Sequence, residues 1–507
     1  MTPEPWRLGG EDMGRGDGPS PAIAIRLLLL LYLALGVLYA THTPAWQAPD
    51  EPAHYNYVRF VAENARLPEL RPGDYDQAYL EAIKARRFPA EMSIEPIRYE
   101  FHQPPLYYLA AAVVYRLAHL LGLPTLLTLR LFSLLLGAGA LLFGYRLVRR
   151  LFPGEPSLAL GTTAFAAFLP MHLAMTAAVN NDVLAELWLN FTALKVVGME
   201  AASWSKRRAL ALGALLGLAL LTKLQSYTAV ALVLAALIWD AWPRRGQPRA
   251  LPWRQAVERA GLVLGTCLAL VSPWLVQNVL RYGLHDPLGL ARHDQVVQGQ
   301  LTTAQYIAQN GWGALLRNGA LTTFRSFWGQ FGWMGVLLDE RIYLALALVS
   351  GLAVVGFALS LEHLRREPLP PRTQRGLVLL LLWALLTTLG YLWWNTKYLQ
   401  HQGRYLFPAL VPWGLAFTLG LRELLRRSWR LTLLLVVLGA VALVVAGLIT
   451  GDLKGLTLAL LVGLGMALAV GQWLERRQPG AALAFFYAAL AALAAVCLYG
   501  YIVPALA

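Results

Sequence analysis

Residues 27–39 read LLLLLYLALGVLY, an apolar run without a single charge. With its flanks it reaches the length of about 18 residues or more that a helix needs to cross roughly 30 Å of hydrocarbon. Such runs recur along a chain that is 57% hydrophobic and only 14% charged. A transmembrane β-barrel would instead alternate apolar and polar residues. The sequence therefore predicts an all-α polytopic membrane protein.

The charge of the chain agrees with this class. The formal net charge is +14, and many Lys and Arg residues cluster in short loops at helix ends, as the positive-inside rule expects. The pattern indicates membrane lipids as partners and no nucleic acid. Residues 1–21, rich in Gly and Pro with mixed charge, are expected to form a disordered cytoplasmic tail.

Fourteen segments are candidate spans by length. They are 22–40, 104–121, 124–148, 157–178, 182–200, 207–222, 224–242, 256–280, 341–361, 374–396, 404–424, 430–449, 454–472 and 480–502. Every second loop from Arg149 onward carries a basic pair or triplet and is expected to be cytoplasmic. These basic groups are Arg149/Arg150, Lys206–Arg208, Arg244/Arg245, Arg365/Arg366, Arg426/Arg427 and Arg476/Arg477.

This alternation requires that one early candidate does not cross the membrane. We expect it to be 104–121, which opens with Pro104 and Pro105 and carries Arg116 and His119. It is predicted to be an interfacial helix on the outer surface. About thirteen transmembrane helices remain, with the N-terminus in the cytoplasm and the C-terminus outside.

Polar chemistry concentrates on the predicted outer side. Two outer loops are long, 41–123 and 281–340, and shorter ones carry VNND (179–182), TKLQ (222–225) and YLQHQGRY (398–405). Eight of the nine histidines lie in or beside these loops. The cytoplasmic loops offer little beyond basic residues, so we expect any site to face outward.

The first outer loop begins with QAPDEPAHYNY (47–57), which places Asp50, Glu51 and His54 where a span has just ended. Ordinary helix capping by Asp50 or Glu51, with Pro52 in the first turn, would explain these carboxylates. Asp182 in VNND lies at another outer helix end and could also be a cap. Carboxylates at a membrane boundary are costly unless solvated or paired, however, and these share one face. Asp50, Glu51 and Asp182 are therefore candidate catalytic residues.

Two cations stand at the same outer boundary. Lys223 interrupts an apolar run and Arg404 opens a span, where each could simply extend its charge to the interface. Cations are otherwise rare on this side, so both call for an anionic partner, and a phosphate would suit Arg in particular. Gln402 and Tyr405, beside Arg404, are further candidates for substrate binding.

The segment His102-Gln103-Pro104-Pro105 either breaks the chain before the next helix or helps to hold a polar substrate. His54, His102 and Gln103 are accordingly candidate substrate-binding residues. The sequence has no HExxH or CxxC metal spacing, no P-loop, no GxSxG elbow and no GxGxxG after a strand, which argues against ATP-driven transport and serine hydrolysis.

Taken together, these motifs resemble the GT-C superfamily of polytopic membrane glycosyltransferases. The resemblance rests on an acidic pair after the first span, a proline pair before a following helix, an Asp in the second outer loop and a long later outer loop. It is strongest for the bacterial branch related to protein O-mannosyltransferases and lipid A aminoarabinose transferases. PDEPAH with VNND and QGRYLFP is similar to a family of predicted bacterial membrane proteins in that clan. The resemblance covers roughly residues 20–425.

The resemblance implies a GT-C fold with a catalytic transmembrane region over 22–425 and further helices over 426–507. It implies a sugar transfer from a polyprenyl-phosphate donor to an unknown acceptor outside the bacterial cytoplasmic membrane, with Asp50 as general base. Glu51 and Asp182 would support the base, and Lys223 and Arg404 would hold the phosphate. Cofactors stay open; Asp50 and Asp182 would bind a divalent metal if one is used.

HQPP departs from the related branches, which usually have Lys or His beside the proline pair, so the donor sugar does not carry over. Two other functions stay open. A transporter or flippase of lipid-linked sugars would need polar residues and interrupted helices near the middle of the membrane; Glu186 is the one notable charge there. A catalytically inactive scaffold for envelope assembly would tolerate the loss of Asp50.

Overall fold

The computed structural model describes residues 20–243, 251–366 and 369–507. Most of the predicted tail (1–21) and the Arg244/Arg245 pair lie outside the described residues. The chain is almost wholly helical, as the sequence predicts, and large apolar side chains such as Leu280 and Ile449 are exposed along the helices. A surface of this kind belongs in lipid.

The α-helices are numbered here in chain order. The first ten are α1 (Pro21–His42), α2 (Glu51–Asn64), α3 (Gln77–Ala85), α4 (Leu106–Leu120), α5 (Thr125–Leu151), α6 (Pro156–Phe168), α7 (Pro170–Thr176), α8 (Asp182–Val197), α9 (Lys206–Leu220) and α10 (Tyr227–Ala241). The others are α11 (Trp253–Tyr282), α12 (Leu290–Val296), α13 (Thr303–Trp328), α14 (Glu340–Arg366), α15 (Pro371–Lys397), α16 (Leu410–Arg426), α17 (Trp429–Thr450), α18 (Gly455–Arg477), α19 (Ala481–Cys497) and α20 (Val503–Leu506). Short 3-10 helices cover Tyr99–His102, Ala201–Ser203, Leu224–Ser226 and Gly403–Ala409, and a π-helical turn covers Leu498–Ile502.

Eight helices in the described ranges are long and apolar enough to cross a membrane, or up to nine if one bent pair counts as a single span. The sequence predicted about thirteen spans, and a helix or bent pair stands at each of them. The smaller count arises because α8, α9 and α16 have only 16, 15 and 17 residues. In α17, the apolar segment Val436–Thr450 is likewise shorter than a full span.

The bent pair is α6 and α7, which meet at an angle of 68°. Proline 170 explains the break, because its ring removes a backbone donor and pushes Leu169 into extended conformation (φ −63°, ψ 114°). The carbonyl of Ala166 would have accepted that missing bond. His172 Nδ1 contacts this carbonyl instead, at 2.7 Å. One predicted span is therefore two short helices with a buried imidazole at the corner.

Close helix packing in the transmembrane region depends on small residues. On α14 and α16, Gly356 and Gly420 face each other so closely that an added Cβ on Gly420 would lie 2.0 Å from the carbonyl oxygen of Ala353. Small residues let backbones approach in this way where lipid supplies no hydrophobic driving force between helices.

Contacts between loops support the predicted alternation of the spans. Among loops predicted to be cytoplasmic, Arg150 donates to Gly198 O at 3.0 Å and Arg426 pairs with Glu475 at 2.6 Å. At the other end, the backbone N–H of Leu106 donates to Leu221 O at 2.8 Å. Loops assigned to one side thus meet each other. Which end faces the cytoplasm stays a prediction.

The two long outer loops are folded. The first contains α2, α3 and α4. The helix predicted over 104–121 is α4, and its interfacial position relative to lipid stays a prediction. The second contains α12, α13, which is broken at the non-helical Gly311 (φ 78°, ψ 166°), and a hairpin of two antiparallel strands, β1 (Gln330–Phe331) and β2 (Val336–Leu337). The hairpin lies in the run FRSFWGQFGWMGVLLDE, whose aromatic residues gave no strand prediction.

Candidate active site

Asp50 stands at the start of α2, but its carboxylate does not cap that helix. Oδ2 accepts a hydrogen bond from Arg404 Nη2 at 2.6 Å, and Oδ1 accepts one from the Tyr99 hydroxyl at 2.7 Å. The side chain keeps 27% of its surface exposed. The capping explanation for Asp50 is therefore wrong, and this carboxylate is available to a bound molecule.

The backbone of Asp50 is also unusual, with φ 67° in the left-handed region. Non-glycine residues adopt this region seldom, and when they do it is often at functional sites. Burial by itself would raise the pKa of Asp50, but the charge of Arg404 and the hydrogen bonds outweigh it. The pKa of Asp50 lies below its ordinary value, so it is ionised at neutral pH.

Arg404 holds this carboxylate with part of its hydrogen-bonding capacity. Its Nε donates to Gln402 Oε1 at 2.6 Å, and within the described ranges its Nη1 contacts only the Met175 sulfur, at 3.8 Å. Thioether sulfur is a weak acceptor. A buried guanidinium therefore has N–H donors to spare beside Asp50.

Glu51, the next residue, has a different environment. Its carboxylate is fully buried and forms a two-pronged ion pair with Arg130, at 2.8 and 2.6 Å. The backbone N–H groups of Trp46 and Val179 donate to the same two oxygens, each at 3.2 Å. The structure therefore favours a positioning role for Glu51, which fixes the loop that carries Asp50. Its predicted support of the base stays a prediction.

Asp182 and Lys223 form a second ion pair, with Nζ and Oδ1 2.5 Å apart. Asp182 is not needed as a cap, because Asn180 Oδ1 accepts from the backbone N–H groups of Asp182 and Val183 at 3.1 and 3.4 Å. Lys223 is mostly buried rather than extended to an interface. Asp182 and Lys223, both predicted for the site, thus lie together. The anionic partner expected for Lys223 is the Asp182 carboxylate in this structure.

His54 is buried on α2, with Nδ1 at 2.8 Å from the Tyr108 hydroxyl. Burial lowers the pKa of His54 despite nearby carboxylates, among them Asp50. The imidazole is therefore neutral at physiological pH. In this environment it can hold a polar group without adding charge, in agreement with the predicted binding role, which stays untested.

His102 and Gln103, neighbours in the HQPP segment, have different hydrogen-bond partners. His102 is buried with Nδ1 on Tyr99 O at 3.0 Å, and burial lowers the pKa of His102 to about 3. Gln103 Oε1 accepts from Asn181 Nδ2 at 3.4 Å. Asn181 also donates to Thr222 O at 3.1 Å, so Gln103 lies beside the loops of Asp182 and Lys223. Their binding roles stay predictions.

The last predicted residues surround Arg404. Gln402 accepts from its Nε, and the guanidinium carbon lies 5.3 Å from the centre of the Tyr405 ring. The Tyr405 hydroxyl donates to Gln400 Oε1 at 2.8 Å. Gln402 therefore helps to orient Arg404, and the predicted substrate-binding roles of Gln402 and Tyr405 stay predictions.

A small cleft of about 30 Å³, room for no more than about two water molecules, lies beside the two ion pairs. It is lined by His172, Met175, Thr176, Asn180, Asp182, Val183, Ala185, Glu186, Leu189, Gln225, Ser226, Arg404, Phe407 and Pro408. Most of its wall is apolar, whereas Arg404, Asp182 and Glu186 give it charges of both signs. A cleft this small admits only a small polar group.

Several residues of this region were not found from the sequence. His172 Nε2 contacts Glu186 Oε2 at 2.9 Å in the wall of the cleft, and Pro170 inside a predicted span was the signal for it. Arg130 was also detectable, as a charge near the start of an apolar helix. Tyr99 carried no signal, because nothing in the local sequence places it against Asp50.

The residues present fit a metal ion poorly. Within the described ranges, no three His, Cys, Asp or Glu side chains come together as potential ligands. Asp50 and Asp182 each already bind a cation, so a divalent ion would displace Arg404 or Lys223. No reaction step is therefore assigned to a metal.

The comparisons with known proteins identify the family and the fold of the chain. Residues 89–413, more than half of the chain, match the model of a family described as predicted membrane protein (DUF2142). The chain belongs to this family. The matched range includes Asp182, Lys223 and Arg404 but begins after Asp50. No curated protein matches the sequence.

Solved structures show the fold. ArnT from Cupriavidus metallidurans bound to undecaprenyl phosphate is similar with a TM-score of 0.54 and 16% identity, over 94% of this chain and 76% of that one. ArnT in the apo state gives 0.52 and 15% with the same coverage. ArnT is a GT-C glycosyltransferase. The predicted GT-C fold of a multi-pass membrane protein is thereby confirmed.

Proposed function

We propose that this chain transfers a sugar from a polyprenyl-phosphate-linked donor to an acceptor at the outer face of the bacterial cytoplasmic membrane. Asp50 is the general base, and the anomeric carbon is inverted. One observation carries the proposal: Asp50 is a partly exposed carboxylate that caps no helix and is held by Arg404, a residue of the cleft wall.

In the proposed reaction the acceptor hydroxyl gives its proton to Asp50 while its oxygen forms a bond to C1 of the sugar. The bond from C1 to the phosphate oxygen breaks, and its electron pair leaves with the phosphate. A nearby base assists the attack, and preorganised cations stabilise the charge that develops on the leaving group. One base and one displacement invert C1.

Arg404 is the first candidate for holding the carrier phosphate. Its Nη1 contacts only a thioether within the described residues, and a guanidinium suits the geometry of phosphate oxygens. Lys223, which pairs with Asp182 of the cleft wall, is the second cation. The solved complex of ArnT with undecaprenyl phosphate supports a carrier of this class for a chain with the same fold.

The ion pair of Asp50 and Arg404 suggests how donor binding prepares the base. A carboxylate with a lowered pKa is a weak base, which is a disadvantage for proton abstraction near neutral pH. A donor phosphate that binds Arg404 would offset its positive charge, so the pKa of Asp50 would rise when the donor arrives. The base would then be strongest in the complex that needs it.

The test uses the full chain purified in detergent with a panel of polyprenyl-phosphate sugars and measures released polyprenyl phosphate. We expect the wild type to cleave at least one donor and Asp50→Asn to lose that activity. Asp452→Asn, an exposed Asp in the loop between α17 and α18, is the matched control and should behave as wild type. Equal turnover by Asp50→Asn and the wild type would refute the proposed role of Asp50.

A parallel reaction with EDTA tests the metal prediction. Turnover that EDTA removes and Mg²⁺ or Mn²⁺ restores would assign a divalent ion to the site. Turnover unchanged by EDTA would leave catalysis to the side chains described above.

One observation favours a second candidate, a flippase of lipid-linked sugars. The interrupted span α6–α7 and the buried pair of His172 and Glu186 are features that such a transporter would use. Reconstitution in vesicles with a fluorescent lipid-linked sugar in one leaflet separates the two functions. Movement between leaflets by Asp50→Asn protein, without donor cleavage, would support the flippase.

A further inference from the structure

The cleft beside Arg404 contains a buried pair of side chains that the proposed reaction does not use. His172, at the corner between α6 and α7, and Glu186, on α8, both line the cleft. Their side chains are only 2% and 9% exposed. A carboxylate is seldom buried to this degree without a partner that balances its charge. How Glu186 is balanced therefore decides whether an anion can bind nearby.

The two nitrogens of the His172 ring both face acceptors. Nδ1 lies 2.7 Å from the carbonyl oxygen of Ala166, and Nε2 lies 2.9 Å from Glu186 Oε2. A carbonyl oxygen can only accept, so Nδ1 carries a hydrogen. The contact between Nε2 and Oε2 needs one more proton, carried either by an imidazolium or by a carboxylic acid. In both forms the pair holds one proton beyond the neutral ring and the carboxylate, and it has no net charge.

The break in the span holds the imidazole in this position. Pro170 lacks the backbone N–H that would have donated to Ala166 O, so that carbonyl is free to accept from His172. On another side, the ring of Phe407 meets the imidazole edge-on, with ring centres 5.4 Å apart. Phe407 belongs to the 3-10 helix Gly403–Ala409, which also carries Arg404. The pair thus packs against the segment that carries the proposed phosphate-binding residue.

Arg404 borders the same space. Its Nη1 contacts the sulfur of Met175, which is part of the cleft wall together with Arg404 and Glu186. The cleft has room for no more than about two water molecules, so little separates Glu186 from the spare N–H donors of Arg404. Charges on the two residues act strongly on each other, because a protein interior screens charge much less than water does.

The other charges of this wall are balanced in the ion pairs of Asp182 and of Arg404. Tyr32 on α1 also lies close enough to be affected by the charge of Glu186, and a phenol is uncharged near neutral pH. The net charge of the wall near neutral pH therefore depends on the proton that His172 and Glu186 share. If this proton leaves, one uncompensated negative charge remains beside Arg404.

We propose that His172 is a positioning residue for donor binding, because it holds the proton that stops Glu186 from repelling the carrier phosphate. With this proton the pair is neutral, and Arg404 can bind the phosphate. Without it, the carboxylate would compete with the phosphate for Arg404. The proposal rests on the proposed function, in which Arg404 holds the donor.

A histidine suits this task for a reason that gives the test its sign. A proton that two groups can share is lost at a higher pH than a proton that a single group must hold. Without His172, the negative charge of Glu186 should therefore appear at lower pH. Without the Glu186 carboxylate it cannot appear at all. Loss of the histidine should weaken phosphate binding only while the carboxylate is present.

The experiment measures the dissociation constant of farnesyl phosphate, a short prenyl phosphate without a sugar, for the full chain in detergent by calorimetry. Titrations run from about pH 6 to about pH 9, on either side of the usual range of histidine. The ionisation of the probe is the same for every protein and cancels when variants are compared at one pH. Thermal unfolding midpoints are recorded for each preparation.

We expect His172→Gln to bind at least about tenfold more weakly than the wild type at the upper end of this range, because the added charge is poorly screened, and the difference should shrink at the lower end. Glu186→Gln and the double variant His172→Gln/Glu186→Gln should bind about as tightly as the wild type throughout. Glu362→Gln, at an exposed glutamate on α14, is the matched control and should behave as the wild type.

Gln225→Glu tests the same charge without changing the pair. Gln225 is a partly exposed residue of the cleft wall, and the change adds a carboxylate of nearly the same shape. Its binding of farnesyl phosphate should weaken relative to the wild type as pH rises. This variant decides the question if His172→Gln does not fold.

Restoration by the second change separates charge from structure. If the double variant binds as weakly as His172→Gln, the histidine is only structural and the proposal is overturned. Binding by either His172→Gln or Gln225→Glu that matches the wild type at every pH would also overturn it, as would a wild type that does not bind farnesyl phosphate. Failure of the proposed function would appear elsewhere, as absence of donor cleavage by the wild type.

Discussion

Asp50 and Glu51 are neighbours in the chain, and each binds a buried arginine, yet their ion pairs differ in kind. Glu51 is fully buried and accepts four hydrogen bonds, two from Arg130 and two from backbone N–H groups. Asp50 is partly exposed and accepts two, from Arg404 and Tyr99. The first pair has no capacity left, whereas the second can still bind a substrate.

The arginines repeat the contrast. Arg130 also donates to the carbonyls of Ala40, Thr43 and Pro44 and so joins the end of α1 to α5. Arg404 Nη1, by contrast, contacts only the weakly accepting Met175 sulfur within the described residues. A buried ion pair is therefore no evidence of catalysis by itself. Whether its partners have spare donors and acceptors separates a structural pair from a reactive one.

The comparison is tested most severely by removing each charge in turn. Asp50→Asn should lower the turnover number by about 10²–10⁴-fold, the usual contribution of a general base. It should lower the thermal unfolding midpoint less than Glu51→Gln does, because the Asp50 side chain is 27% exposed whereas Glu51 is fully buried. The measurement is donor cleavage beside a melting curve of the same preparation. A large loss of stability in Asp50→Asn would mean that the two pairs serve the same structural purpose.

Glu51→Gln should show the reverse. It leaves the charge of Arg130 buried without a counter-charge, which costs about 3–5 kcal/mol of folding free energy. The expected result is a clear fall in the unfolding midpoint, measured in detergent. The paired change Glu51→Leu with Arg130→Met removes both charges and should recover part of the loss. If Glu51→Gln and the double variant both unfold at the temperature of the wild type, the ion pair of Glu51 and Arg130 does not stabilise the fold.

Arg404→Lys should have a smaller effect on catalysis. The charge stays, but the planar fork that serves Asp50 and a phosphate together is lost. We expect kcat/KM for the donor to fall by about 10–100-fold, equivalent to roughly 1.4–2.7 kcal/mol, with normal folding. Arg254→Lys, at an exposed position on α11, is the control. An unchanged kcat/KM would exclude Arg404 from donor binding.

The smallest effect is expected from Tyr99→Phe, which removes one hydrogen bond to the Asp50 carboxylate. That bond helps to lower the pKa of Asp50, so its loss should raise the pKa. Activity requires the ionised base and is lost as pH falls through this pKa. The acid limb of kcat/KM should therefore move to higher pH in the variant. An acid limb that stays in place would show that Asp50 is not the titrating group.

The sequence predicted the fold and the members of the site better than their pairing. Apolar runs and basic loops predicted the helices, and the outer motifs predicted Asp50, Asp182, Lys223 and Arg404 near one another. That Asp50 pairs with Arg404 and Asp182 with Lys223 was not predictable, because each pair joins segments far apart in the chain. The capping explanation for Asp182 failed for a local reason, because the neighbouring Asn180 caps α8 instead.

Three other features could not be predicted from the sequence: the different roles of Asp50 and Glu51, the ends of the short helices, and the β1–β2 hairpin. Glu51 and Asp50 have the same charge and nearly the same position, and only the burial of Arg130 separates their roles. The predicted spans at α8, α9 and α16 extend past the helices because hydropathy does not mark the residue where a helix begins or ends. The β1–β2 hairpin was not predicted because its two-residue strands are too short to leave a periodic pattern.

The distance in sequence between Asp50 and Arg404, 354 residues, has a consequence for biosynthesis. At about 5–20 residues per second, a ribosome needs roughly 20 to 70 s to make the arginine after the aspartate. During this time the nascent chain has its first outer loop in place, without the cation that orients its carboxylate. The proposed transferase activity is thus expected only after the loop that carries Arg404 has been inserted. A partly made chain would then be unable to hydrolyse the proposed lipid-linked donor.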